Sequence, residues 1–169
     1  MKLKNFILIA VFLCTANLWA ELNTYKMKDS NKKVVVVKET KSGLSFPNSK
    51  GKIVLLNFFG KHCPPCLMEI PHLINLQKKY KKQFDILALQ VQAPMGPTKL
   101  KSFIKDKSIN YPIIDGDQTF DFVQFVMSKT GWEGMIPFMV LFNKDGTPFK
   151  MYTGMRSEEE IEADIKKLF

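Results

Sequence analysis

Asn57-Phe58-Phe59-Gly60-Lys61-His62-Cys63-Pro64-Pro65-Cys66-Leu67-Met68-Glu69-Ile70-Pro71 is the stretch from which the rest of the chain can be read. The apolar run Ile53 to Phe59 leads into it and predicts a buried strand of a parallel sheet. Gly60 breaks that run. Ile70, Leu73, Ile74 and Leu76 then recur with helical spacing. The Cys-x-x-Cys therefore falls where a strand hands over to a helix N-terminus. Pro64 and Pro65 suit the first helical turn, which does not need their missing N–H groups. Cys63 is expected at the exposed end of the helix, where unpaired N–H groups and the helix dipole favour a thiolate. Cys66, one turn further in, is expected to be shielded and placed to resolve a mixed disulfide. The pattern points to thiol redox chemistry.

Two rival readings of the pair are weak. A zinc site needs two further Cys or His ligands, and beyond residue 20 only His62 and His72 are available. A purely structural disulfide would close a tiny loop, where the stabilisation from loop closure is smallest.

The N-terminus has the shape of a secretory signal over residues 1–20. Lys2 and Lys4 precede the apolar run Phe6 to Leu13, and small residues follow at Ala16 and Ala20. The run is too short to span a bilayer comfortably, so cleavage after Ala20 or Ala16 is expected, with an uncleaved membrane anchor as the alternative. Cys14 falls inside the signal. The mature chain then keeps two cysteines, which in an exported protein means a catalytic pair rather than a disulfide framework. With Lys2 and Lys4 set aside, 23 basic residues face 16 acidic ones beyond Ala20. Lys78, Lys79, Lys81 and Lys82 cluster at the predicted end of the active-site helix, where a solvated helix end complementing the dipole is the expectation. Export and the absence of an aromatic–basic interleave argue against nucleic acid as a partner.

With these residues in view, the chain from 34 to 169 resembles the thioredoxin-like proteins, in particular the periplasmic thiol-disulfide oxidoreductases of the TlpA, ResA and DsbE type. Gly51 to Phe59 looks like the strand leading to that family's active site, and Cys63-Pro64-Pro65-Cys66 is a common form of its motif. Pro71 falls where the family kinks its helix, and Asn57 takes the place of the buried Asp of ordinary thioredoxins. Glu69 matches an acidic residue that the branch sets beside its cysteines. His62 departs from the pattern, since the family usually has Trp there.

The resemblance implies a thioredoxin-like α/β fold: a central mixed sheet flanked by helices, with an inserted helix–strand unit between Val91 and Thr130. Residues 21–33 are expected to form an N-terminal segment in front of the domain. It also implies a redox-active Cys63–Cys66 disulfide with no other cofactor and no metal. The Ile136–Pro137 bond is expected to be cis, exposing backbone groups at Ile136 to an extended substrate segment. Glu69 in a poorly solvated site would have a raised pKa and exchange a proton with Cys66. His62 is expected at the substrate surface, where a protonated imidazole would stabilise the Cys63 thiolate. His72 is expected as an exposed, solvated imidazole. The implied partners are a protein disulfide, with apocytochrome c first, and a membrane electron donor of the thiol-disulfide type, acting on a periplasmic monomer. The alternatives are general disulfide reduction or isomerisation, and a copper-binding module using Cys63, Cys66 and a distal ligand.

The remaining sequence fits this frame. Strands are expected at Val34–Val37, Phe84–Val91, Pro112–Ile114, Pro137–Asn143 and Pro148–Thr153, the last two joined by a turn at Lys144-Asp145-Gly146. Ser42 to Lys52 reads as a loop. Helices are expected at Thr98–Lys107 and Gln118–Lys129. A last helix opens on the capping box Ser157-Glu158-Glu159-Glu160.

Overall fold

The computed structural model describes residues 22–169; the expected signal segment lies outside them. In chain order the strands are β1 (Thr24–Lys28), β2 (Val34–Glu39), β3 (Leu44–Ser45), β4 (Ile53–Phe59), β5 (Phe84–Gln90), β6 (Ile113–Ile114), β7 (Phe138–Phe142) and β8 (Pro148–Thr153). The helices are α1 (Pro64–Lys79), α2 (Pro97–Asp106), α3 (Phe120–Thr130) and α4 (Glu158–Lys166). Five strands form the main sheet in the order β6-β5-β4-β7-β8. β4 runs parallel to β5 and antiparallel to β7, so the sheet is mixed. The unit α2–β6 is the insertion between β5 and α3.

β4 is central, and every residue in it is buried. Side chains alternate across a strand, which divides the molecule into two apolar layers. Ile53, Leu55 and Phe59 face the layer that holds α1, α4, Leu100 of α2 and both cysteines. Val54, Leu56 and Phe58 face the other layer, with Phe122 and Val126 of α3 and with Met27, Val35, Val37 and Leu44 of a three-stranded antiparallel sheet, β1-β2-β3. Leu55, Leu56 and Phe58 are wholly excluded from solvent. Burying side chains of this size contributes about 2 kcal/mol each, which makes β4 a rigid base for the turn and helix that carry the cysteines. The same alternation turns Asn57 toward α1, an unusual place for an amide. Among the described residues no helix is long and apolar enough to cross a membrane.

The structure adds elements that the sequence pattern does not announce. β1 reads Thr-Tyr-Lys-Met-Lys, with Met27 its single buried residue, so it has almost no apolar alternation. It is held by full-length pairing with β2, from Thr24 opposite Lys38 to Lys28 opposite Val34. The expected loop 42–52 contains β3 and a 3-10 turn over Pro47–Ser49. The third helix begins at Phe120 rather than Gln118, because Gly116–Gln118 forms a separate 3-10 turn. The final helix opens as expected: the Ser157 hydroxyl accepts from the Glu160 N–H, and the Glu160 carboxylate accepts from the Ser157 N–H.

Candidate active site

Cys63 is the N-cap of α1, and Pro64 opens the helix behind it. The two cysteines are joined as a disulfide, with an S–S distance of 2.06 Å. The Cys66 N–H donates to the Cys63 sulfur at 3.3 Å, so the helix terminus acts on that sulfur directly. Cys63 is less open than the sequence suggests: it is 7% exposed, against 2% for Cys66. The two sulfurs differ chiefly in their place at the helix end. Both belong to the apolar cluster that contains Phe59, Ile70 and Met95.

Three loops enclose the pair. The first is the turn after β4, where the His62 N–H donates to the Gln92 side-chain oxygen at 2.9 Å and Lys61 donates to the Pro94 carbonyl at 3.4 Å. A Cβ at Gly60 would lie 2.3 Å from the Gln92 amide carbon, so a larger residue here would push the Gln92 side chain away from the His62 N–H. The His62 ring itself is exposed. The second is the loop 92–96, fastened by buried Asp115, whose carboxylate accepts from the N–H groups of Met95, Gly96 and Gly116. The third runs from Gly131 to Pro137. Trp132 stacks on Phe138 and donates its indole N–H to the Met135 carbonyl at 2.7 Å. The Ile136–Pro137 peptide bond is cis, and the Ile136 carbonyl oxygen lies 3.8 Å from the Cys63 sulfur.

Glu69 lies one turn beyond Cys66 and has no solvent exposure. Its Oε1 accepts the Arg156 backbone N–H at 2.9 Å, and Asn57 Nδ2 donates to Oε2 at 3.4 Å. Desolvation pushes its pKa up from 4.5 to about 7, because the N–H of Arg156, the nearby His72 and the Asn57 amide only partly offset the burial. His72 corrects the sequence reading. It is half-buried, and its Nδ1 lies 3.3 Å from the Arg156 carbonyl. Tyr111 is buried on the same side of the sheet; desolvation and the charge of Glu69 raise its pKa. Gln92, Asp115, Trp132 and Arg156 are parts of the site that the sequence reading did not include.

The AhpC/TSA family profile matches residues 17–165. The chain belongs to the AhpC/TSA family. It is 32% identical over 120 residues to the thiol-disulfide oxidoreductase ResA of Bacillus thuringiensis strain Al Hakam, covering 70% of this chain and 65% of that protein. To the ResA of Halalkalibacterium halodurans it is 32% identical over 114 residues, covering 67% of this chain and 60% of that one. The chain thus spans slightly less than two thirds of these relatives' length. Among solved structures, a thioredoxin-family thiol:disulfide interchange protein from Chlorobium tepidum TLS superposes with a TM-score of 0.66 at 23% identity, over 86% of this chain and 92% of that one. StoA from Bacillus subtilis superposes with a TM-score of 0.61 at 19% identity, over 84% and 96%. At these identities the likeness establishes the fold, which is thioredoxin-like, as the resemblance of the sequence implies.

Proposed function

We propose that this protein is an exported thiol-disulfide oxidoreductase that works as a reductant through Cys63 and Cys66. The reading is carried by one arrangement: a cysteine pair at a helix N-terminus with a fully buried carboxyl one turn behind it. In the reduced protein the Cys63 thiolate attacks one sulfur of a substrate disulfide. That S–S bond breaks, the departing sulfur leaves as a thiolate and takes up a proton, and a mixed disulfide remains. The Cys66 thiol gives its proton to the Glu69 carboxylate and attacks the Cys63 sulfur. The bond between Cys63 and the substrate breaks, the second substrate sulfur leaves as a thiolate and takes up a proton, and the Cys63–Cys66 disulfide forms. Two electrons pass from the protein to the substrate.

A carboxyl with a pKa of about 7 suits this exchange near neutral pH, because both of its forms are populated there. The Ile136 carbonyl and cis-Pro137 supply the backbone edge along which an extended substrate segment lies, and exposed His62 borders the same entry. The thiol-disulfide oxidoreductase names of the relatives support a disulfide as substrate. Apocytochrome c cysteines, a membrane thiol-disulfide donor and a place on the outer side of a membrane follow from the resemblance of the sequence. No cofactor beyond the cysteine pair enters this scheme.

Reduction of a protein disulfide by the reduced full chain tests the assignment. Cys63→Ser is expected to abolish it, and Cys66→Ser to accumulate mixed disulfides with the substrate. Retained turnover in Cys63→Ser would overturn the scheme.

A further inference from the structure

Glu69 has no solvent exposure of its own, yet the proposed cycle needs it to exchange a proton and the charge that goes with it. Its surroundings include a second titratable group one turn further along α1. Arg156, in the loop between β8 and α4, is clasped on both sides of its backbone: its N–H donates to Glu69 Oε1 at 2.9 Å, and its carbonyl faces His72 Nδ1 at 3.3 Å. A carbonyl oxygen can only accept, so the His72 proton in this contact sits on Nδ1. That leaves Nε2 as the other ring nitrogen, on a half-buried side chain. His72 thus touches the same residue as Glu69 while keeping partial access to solvent, which Glu69 lacks.

Each element packed against the pair contributes a polar or charged group. β4 supplies the Asn57 amide at 3.4 Å from Glu69, and buried Tyr111, ahead of β6, senses the charge of Glu69. The Arg156 guanidinium turns to the Thr153 carbonyl at 3.1 Å and to Glu160 at 4.0 Å. From α4, exposed Glu159 is also held lower in part by the charge of His72, as Glu69 is. On α1 itself the neighbours are Cys66, held in the disulfide, and Lys78 and Lys79 in the last turn. Positive charge on His72 therefore favours the ionised form of a carboxyl that burial drives toward the neutral form.

We propose that His72 is a positioning residue for Glu69: it holds the Arg156 backbone against the buried carboxyl, and its own charge sets the pH at which that carboxyl releases its proton. The inference rests on the proposed thiol-disulfide reading, since the released proton is the one Cys66 exchanges. It predicts that the pH profile of disulfide reduction moves when the charge of residue 72 is changed while its side chain keeps a donor for Arg156.

The test tracks the Glu69 carboxyl carbon by NMR across pH in the full, oxidised chain labelled with carbon-13 glutamate, the resonance being assigned by its loss in Glu69→Gln. His72→Gln keeps a donor for the Arg156 carbonyl and removes the charge. His72→Lys fixes a positive charge at the same place. The Glu69 midpoint is expected to rise by about half a pH unit in His72→Gln, a change of roughly three-fold in proton affinity. In His72→Lys it is expected to stay at or below the wild-type value, and turnover profiles should shift in the same directions. Coincident midpoints in wild type and His72→Gln would overturn the proposal, as would shifts of the same sign in both variants. The NMR midpoints do not depend on turnover. A wild-type chain that reduces no disulfide but shows the opposed shifts would sink the enzymatic reading and leave the coupling in place. Normal turnover with coincident midpoints would do the reverse.

Discussion

Two carboxyl groups are buried in this molecule beside α1 and α4, and they have opposite fates. Asp164 on α4 is 3% exposed; it accepts from Lys150 and Lys167 at 2.6 Å each and from the Tyr152 hydroxyl at 2.9 Å. Burial alone would raise its pKa, but these donors outweigh burial and hold it at about 2. Glu69 on α1 receives only neutral donors, a backbone N–H and an amide, and burial wins. Charged partners thus make a buried carboxyl a permanently ionised anchor, here tying α4 to β8. With neutral donors, the Glu69 carboxyl is governed by burial and its pKa lies at about 7. Glu69 is the more deeply buried of the two and its donors carry no charge, and both differences push its pKa above that of Asp164.

The sharpest way to break that comparison is stability against pH, because the two groups contribute with opposite sign. The folded-state pKa of Glu69 lies above its ordinary 4.5, so the folded protein binds its proton more tightly than the unfolded chain. Its favourable share is complete below about pH 4.5 and is lost as pH rises through about 7. Glu69→Gln removes that loss, because the Gln oxygen still accepts from Arg156. The variant is expected to be more stable than wild type at pH 8, by about 2–3 kcal/mol, with little difference at pH 4. Denaturant unfolding at the two pH values checks this. A variant less stable than wild type at pH 8 would show that Glu69 is an anchor after all.

Asp164→Asn should behave in the opposite way and more weakly. The folded pKa of Asp164 lies below its ordinary 3.8, so its contribution is present above that value and fades as pH falls through about 2. Its lysine partners are about half exposed, so solvent screens the pairs and the expected loss at pH 7 is about 1–2 kcal/mol. Disulfide reduction at pH 7 should change by less than about two-fold, since Asp164 touches none of the groups around the cysteines. Unfolding and turnover measured on one preparation separate the two effects. A large loss of turnover without loss of stability would deny Asp164 its purely structural role.

Much of the fold and the site was legible in the sequence because it depends on residue type and period. The run Ile53 to Phe59 announces a strand buried on both faces, and alternation sends Asn57 to the face of α1. The spacing from Cys66 to Glu69 puts both on adjacent turns of one helix face. The capping box of α4 is written in Ser157 and Glu160. What stayed hidden depends on groups that carry no type signal. The donor to Glu69 is a main-chain N–H of Arg156, which any residue but proline would offer. Gln92 and Asp115 look like ordinary polar loop residues until the folded loops bring them to His62 and Met95. His72 reads as a solvated imidazole because nothing near it in sequence says that the β8–α4 loop will close over it. β1 went unseen for a related reason: its partner strand, not its own composition, keeps it in place.

The central claim is that Glu69 holds a proton for Cys66. Its most direct measurement is the alkylation rate of the reduced cysteines against pH in wild type and Glu69→Gln. With the carboxylate present, each negative group disfavours the other, so the wild-type profile should carry an inflection near pH 7 from Glu69 and a thiol that stays protonated to higher pH. Glu69→Gln should lose that inflection and move the cysteine titration to lower pH. Superimposable profiles would contradict the account and leave Glu69 a buried carboxyl without a part in the chemistry.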